Sequence, residues 1–295
     1  MDPIFETQDL WKWFGGTLAL SRVSLSLRNP SIVGLVGRNG SGKTTLIGLM
    51  VGLLLPTEGI ARTLGRATHM LGRTELEQIG YVPDNPVLLH WMTVTQQLDY
   101  VASFYPRWDR ERERALCGQL ELARQVKVSA LSAGDLQKLA IVLSICHHPK
   151  FIALDEPLSH LDPIVREQFL RFLLDLVAED GATVVMSSHV LNDVERIVDW
   201  VVCLDGGTVV ADAALDDLKG EYAEWQIVAR NGGLPARFPE AFVLHQDVSS
   251  PMARLVVRAS EAERMSFESA HHVTVTATPL NLGGMFPYLL KRNVQ

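Results

Sequence analysis

The chain has 295 residues, 47% of them apolar and 21% charged, which suits a globular protein with one large core and an appendage. Its formal net charge of −7 disfavours a nucleic-acid partner, because binding a phosphate backbone needs a basic face. No uninterrupted apolar stretch reaches the ~18 residues a spanning helix requires, and the opening Met1-Asp2-Pro3-Ile4-Phe5-Glu6 is acidic where a secretory signal is basic, so the expected location is the cytoplasm.

Val23, Leu25 and Leu27 alternate with Arg22, Ser24, Ser26 and Arg28, the period-two pattern of a half-buried strand. A short apolar run, Ile32 to Val36, leads into Gly37-Arg38-Asn39-Gly40-Ser41-Gly42, and Thr45 to Leu55 reads as a buried helix stopped at Pro56. Pro56-Thr57-Glu58-Gly59 turns into further short strands, one of them Ile79 to Val82. From about Thr93 the texture is helical, with helices expected at Asp109–Leu122 and Leu136–His147. Phe151–Leu154 reads as an apolar strand, Asp162–Glu179 as an amphipathic helix and Thr183–Met186 as a second buried strand. Asp193–Val198 reads as a helix, and Trp200–Leu204 and Thr208–Val210 as a hairpin about Asp205-Gly206-Gly207. This alternation predicts an α/β fold with a parallel sheet. Beyond Gly220, short strands at Trp225–Ala229, Ala241–Leu244, Arg254–Val257 and Val273–Ala277 precede a helix at Leu282–Lys291, which predicts a small β-rich second domain.

Gly37-Arg38-Asn39-Gly40-Ser41-Gly42-Lys43-Thr44 fits the G-x-x-x-x-G-K-[ST] phosphate loop in full. Its glycines let backbone N–H groups turn toward phosphate oxygens at the positive end of the following helix. Lys43 is expected to neutralise the β- and γ-phosphates and the Thr44 hydroxyl to hold Mg²⁺; Thr45 completes the nucleotide-binding set. Phe151-Ile152-Ala153-Leu154-Asp155-Glu156 is an apolar strand ending in two carboxylates. In a parallel sheet that end faces the ligand crevice, so Asp155 is expected to hold Mg²⁺ through water and Glu156 to polarise an attacking water. Leu131-Ser132-Ala133-Gly134-Asp135 opens the next helix, as a second phosphate-binding terminus or as an ordinary N-cap.

The order and spacing of six segments resemble the ATP-binding cassette family over residues 4 to about 220. They are the phosphate loop, Gly80-Tyr81-Val82-Pro83, Leu131-Ser132-Ala133-Gly134, Leu154-Asp155-Glu156-Pro157, Ser159-His160-Leu161-Asp162 and Ser188-His189. The resemblance implies a P-loop ATPase core with a parallel sheet, an antiparallel β subdomain and a helical subdomain at about 86–148, all within 1–220, with 221–295 as a small C-terminal accessory domain. It implies a head-to-tail dimer of cassettes in which Ser132, Ala133, Gly134 and Asp135 meet the ATP of the other protomer, with Asp162 on the dimer seam. It also implies that His189 reaches the γ-phosphate beside Glu156, that Phe14 stacks on adenine with Trp13 as the alternative, and that Asp84 joins Thr44 and Asp155 at Mg²⁺.

Two residues depart from the family pattern. Asp84 stands where Gln is usual; it can still ligate Mg²⁺ but lacks amide donors. Asp135 also replaces a usual Gln and places negative charge near a triphosphate unless a neighbour such as Lys138 compensates. Cys117, Cys146 and Cys203 are far apart among apolar neighbours and read as buried hydrophobes, and neither His147-His148 nor His271-His272 has a partner at metal spacing.

The function this implies is the ATP-hydrolysing subunit of a transporter whose permease is a separate polypeptide. Phe104-Tyr105-Pro106-Arg107-Trp108-Asp109 and the β-rich tail resemble bacterial cassettes of ABC-2-type exporters, which implies export and a peripheral position on the inner face of the membrane. The apolar loop Val87-Leu88-Leu89-His90-Trp91-Met92 is the expected permease contact, near Leu89–Met92, and packing of the helical region onto the core is the competing reading. A soluble ATP-switched cassette acting on nucleic acid or ribosomes is the alternative; the single phosphate loop, the absence of sustained heptads and the acidic balance disfavour it, while Asp84 and Asp135 keep open a regulatory ATP sensor with little hydrolysis.

Overall fold

Alternating burial at the start of the chain builds the first sheet. In the computed structural model, which describes residues 3–27, 31–230 and 232–290, β1 (Phe5–Phe14) and β2 (Thr17–Leu27) pair antiparallel. Val23, Leu25 and Leu27 are buried while Arg22, Ser24 and Ser26 face water. Arg28 and Lys291, assigned from sequence to a strand and a helix, lie outside the described residues. β3 (Ile32–Gly37), wholly buried, feeds the glycine loop and α1 (Lys43–Met50).

That helix ends five residues before the expected Leu55. Gly52 takes φ +76°, and Leu54 folds back so that its N–H reaches the Gly48 carbonyl at 3.0 Å. Tertiary packing of Leu54 over Gly48, where a Cβ would meet the Leu54 side chain at 2.8 Å, overrides helical periodicity here.

β4 (Glu58–Thr63) and β5 (Arg66–Ala67) complete an antiparallel sheet of order β2-β1-β4-β5. After α2 (Arg73–Leu76) and β6 (Ile79–Val82) comes the helical stretch. α3 (Val94–Ala102) starts at a Thr93/Gln96 capping box, α4 (Arg110–Gln119) at Asp109, and α5 (Ala133–Ile145) at Ser132. The buried Glu113 anchors this stretch by accepting from Trp108, Arg110 and Arg124. Burial pushes its pKa up, but those three donors together outweigh burial and hold it low.

β7 (Phe151–Leu154), α6 (Pro163–Asp180), β8 (Thr183–Ser188), β9 (Trp200–Asp205) and β10 (Thr208–Ala214) finish the second sheet, of order β10-β9-β3-β8-β7-β6. β3 runs parallel to β8 and β9, and β7 runs parallel to β6 and β8. Strands buried on both faces lack alternation, which is why β3, β7 and β8 read as continuous apolar runs. Phe5, Leu10 and Leu25 of the first sheet share one core with Leu46, Ile47 and Leu49 of α1 and Val33, Leu35, Ala153 and Val185 of the second.

The chain divides into two compact units, one holding residues up to Val190 with Arg196–Asp212, the other Leu191–Glu195 with the chain from Ala213 onward. The second begins with α7 (Leu191–Glu195), where a helix was expected at Asp193–Val198. The helix cannot extend that far because Asp199 exchanges two bonds with Ile32, its carboxylate accepting from the Ile32 N–H and its own N–H reaching the Ile32 carbonyl. α8 (Leu215–Glu221), β11 (Tyr222–Ala229), β12 (Val243–Ser249), β13 (Met252–Arg258), α9 (Glu261–His271), β14 (Val273–Pro279) and α10 (Leu282–Leu290) follow. The strands form an antiparallel sheet of order β12-β13-β11-β14 over a core of Trp225, Ile227, Phe238, Leu255, Val257 and Phe267. β12 starts two residues later than expected and runs five further. α9 was missed from sequence although its signal was present, a Ser260/Glu263 capping box. α9 also guards the outer edge of β14, since Val275 donates its N–H to Glu268 at 2.8 Å and its carbonyl accepts from Arg264 at 3.4 Å.

Candidate functional site

The register of the parallel sheet brings the carboxyl ends of four strands side by side. Val36 lies opposite Ser188, Leu154 opposite Met186, and Val82 opposite Leu154. The residues that follow these strands therefore gather at one crevice, and the sheet there carries the glycine loop, Asp84, Asp155, Glu156 and His189.

A cleft of about 460 Å³ is lined by Asn39, Gly40, Gly42, Lys43, Thr44, Thr45, Asp84, Glu156 and His189, with Thr17, Leu18, Ala19 and Ser159 on its rim. Gly42 has φ +105° and sits against Ala19, whose carbonyl a Cβ would meet at 2.7 Å, so the loop can close this tightly only with glycine. A Cβ on Gly37 would meet the Leu204 carbonyl at 2.4 Å. Lys43 is buried; its ammonium donates to the Gly37 and Arg38 carbonyls at 3.0 and 3.3 Å and lies 3.7 Å from Glu156. Ser41 Oγ is buried without a hydrogen-bond partner among the described residues, and Arg38 is exposed.

Asp155 is almost fully buried and accepts the Ser187 hydroxyl at 2.7 Å, while Ser187 Oγ accepts the Glu156 N–H at 2.8 Å. Glu156 is held in the left-handed region at φ +47°, a conformation costly for a side chain with Cβ and found where surrounding bonds enforce it. That twist turns its carboxylate into the cleft, where Oε2 lies 2.7 Å from His189 Nδ1 and accepts the His189 N–H at 3.3 Å. The Tyr81 phenol is raised in pKa by burial and then by the Asp155 and Asp84 carboxylates. Ser187 escaped the sequence reading, since a serine inside an apolar strand carries no local mark of its partners.

Thr44 and Asp84 on the cleft lining and the buried Asp155 beside Glu156 supply hard oxygen donors. This donor set suits Mg²⁺ with a phosphate ligand.

The structure does not bring every predicted residue to this cleft. Ser132, Ala133, Gly134 and Asp135 begin α5 away from its lining. Ser132 Oγ donates to Asp135 at 2.7 Å and accepts the Asp135 N–H at 3.1 Å, and Lys138 lies 3.3 Å from the other Asp135 oxygen. Gly134 is pressed to the His160 carbonyl, 2.7 Å from where a Cβ would stand. Asp162 caps α6, and its carboxyl is held low in pKa by the Val165 and Ile164 N–H groups and then by Lys138. Phe14 is exposed on the β1–β2 hairpin with Lys12 over its ring, outside the cleft lining, whereas Trp13 stacks on Trp11 at 5.2 Å.

Val87 and Trp91 are 90% and 70% exposed, and Leu88, Leu89 and Met92 are half-buried. His147 donates through Nε2 to the Ile79 carbonyl and stacks on Tyr105, His148 faces Asp109 and Asp180, and His271 faces Glu240. The three cysteines are buried, and burial raises the Cys203 thiol to about 12.

A glycine loop at a parallel-strand terminus, facing two acids and a histidine across one cleft, defines a P-loop ATPase with the cassette arrangement of sheets. The ABC transporter family profile matches residues 20–159. Bacitracin transport ATP-binding protein BcrA of Enterococcus faecalis is 30% identical over 247 residues, 82% of this chain and 79% of BcrA. An uncharacterized ABC transporter ATP-binding protein of Synechocystis sp. is 30% identical over 221 residues, 72% of this chain and 62% of that relative. Among solved structures, an ATP-binding subunit of an ABC transporter matches with TM-score 0.67 and 30% identity over 73% of this chain and 92% of that one. A dimeric post-hydrolysis state of the cassette MJ0796 bound to ADP and Pi matches with TM-score 0.65 and 26% identity, over 72% and 98%. The chain belongs to the ATP-binding proteins of ABC transporters, an ATPase family.

Proposed function

We propose that this chain hydrolyses Mg-ATP as one of two identical cassettes and drives export through a separate membrane subunit from the cytoplasmic face. The observation that carries the reading is the convergence of Lys43, Glu156 and His189 on one cleft, with Asp155 buried beneath. The loop N–H groups and Lys43 hold the β- and γ-phosphates, Thr44, Asp84 and Asp155 hold Mg²⁺, and the ion supplies charge neutralisation on the phosphate oxygens. Glu156 accepts the proton of the attacking water, and His189, bonded to it, faces the γ-phosphate. Phe14 is exposed, with Lys12 over one face of its ring, and would stack on adenine through the other. Ser132 to Asp135 and Asp162 lie outside the cleft, which suits residues that serve the partner cassette's nucleotide.

Export is supported by the likeness to a bacitracin transport protein. Among the described residues no helix is long and apolar enough to cross a membrane. The exposed Val87 and Trp91, with Leu89 and Met92, support a permease contact, and so does an apolar groove of about 360 Å³ lined by Leu53, Leu76, Tyr81 and Val101.

The test is Glu156→Gln. ATP affinity should be kept while hydrolysis slows by at least ~10², and an ATP-bound dimer should accumulate on gel filtration. Turnover at the unsubstituted rate would remove Glu156 from the mechanism.

A further inference from the structure

Beside the apolar groove lies a second cavity, of about 290 Å³, lined by Thr74, Glu77, Gln78, Arg107, His148 and Lys150. The stacked Tyr105 and His147 rings, with centroids 4.0 Å apart, line both cavities and form the wall between them. The two spaces thus adjoin across these two rings.

Their charges differ in how they are balanced. Glu77 is matched by Arg73 at 2.6 Å, and His148 faces the carboxylates of Asp109 and Asp180. His147 adds no charge, because burial pushes its pKa down to about 4. Arg107 and Lys150 are exposed and take part in no ion pair among the described residues. A polar cavity carrying two unmatched cations next to an apolar groove is complementary to an apolar helix face with a carboxylate at one end.

We propose that Arg107 and Lys150 recognise an acidic side chain on the cytosolic helix of the membrane subunit that lies in the adjoining groove, and so select the cognate permease. This rests on the permease contact proposed above and adds the chemistry of the partner. Leu53, Leu76 and Val101 supply apolar contact that any amphipathic helix satisfies, whereas the cation pair penalises a helix that is neutral or basic at that place.

The experiment uses the full chain co-expressed with its membrane subunit. Arg107→Glu with Lys150→Glu should leave ATPase of the isolated chain unchanged and cut co-purification with the membrane subunit by about tenfold or more. One Asp or Glu to Lys exchange in a cytosolic helix of the membrane subunit should restore it. Undiminished co-purification of the double variant would overturn the proposal, as would a loss that no such exchange restores. Leu53→Arg tests the groove separately: full co-purification of that variant would remove the docking reading itself. Binding of inorganic phosphate that requires Arg107 and Lys150, with the complex intact in the double variant, would make the cavity a small-anion site and equally overturn the proposal.

Discussion

At the scale of single residues, Asp135 shows how a neighbour changes the meaning of a charge. A carboxylate in that place would repel a triphosphate, yet Lys138 lies 3.3 Å away and Ser132 donates to the other oxygen. Asp135→Gln therefore removes a charge and at the same time leaves Lys138 without its partner. The ATP-driven dimer should tighten, and Lys138→Gln should loosen it; sedimentation across an ATP titration reads both, and effects of one sign would remove this pair from the interface. His147 supports a second prediction. Its ordinary pKa is 6.5 and burial brings it to about 4, so as pH falls the unfolded chain takes the proton first. The stability due to neutral His147 is complete above about 6.5 and is lost toward 4. His147→Phe, which keeps the stack on Tyr105, should lose about 2 kcal/mol less than the unsubstituted chain between pH 7 and 4.5 in urea unfolding. Equal losses would place the titration elsewhere.

Elements show the same dependence on what packs against them. β14 ends the C-terminal sheet, and a free edge of Val273-Thr274-Val275-Thr276 would be open to pairing with another chain. Glu268 and Arg264 of α9 occupy the Val275 N–H and carbonyl. Arg264→Ala with Glu268→Ala should leave the sheet folded but self-associating, visible as concentration-dependent light scattering. A variant that stays monodisperse would show that the edge is protected in another way. α1 gives the converse case, a helix shortened because Leu54 folds back over Gly48.

For the whole molecule, the question is how hydrolysis reaches a membrane partner. Asp84 lines the nucleotide cleft, and three residues on begins the loop that exposes Val87 and Trp91. A nucleotide that moves Asp84 would also move this loop. Trp91→Ala with Leu89→Ser should then leave basal ATPase of the isolated chain nearly intact and abolish co-purification with the membrane subunit. Aggregation of the variant would favour the packing role for the loop, and full co-purification would take the loop out of the interface.

The sequence by itself determined the phosphate loop, the buried strands and the α/β class, because each is written in contiguous residues whose local conformation is decided by glycine freedom or by side-chain periodicity. The Ser260/Glu263 cap of α9 was equally local and legible in principle. Only the tertiary structure decided that Glu156 takes φ +47° and meets His189 and Lys43, that Ser187 bridges Asp155 and the Glu156 N–H, and that Lys138 neutralises Asp135. It likewise decided where α1 and α7 stop. These features depend on strands and loops far apart in the chain being brought into register. Periodicity reports which face of an element is apolar, but not which element covers that face or which polar group it brings within hydrogen-bonding distance.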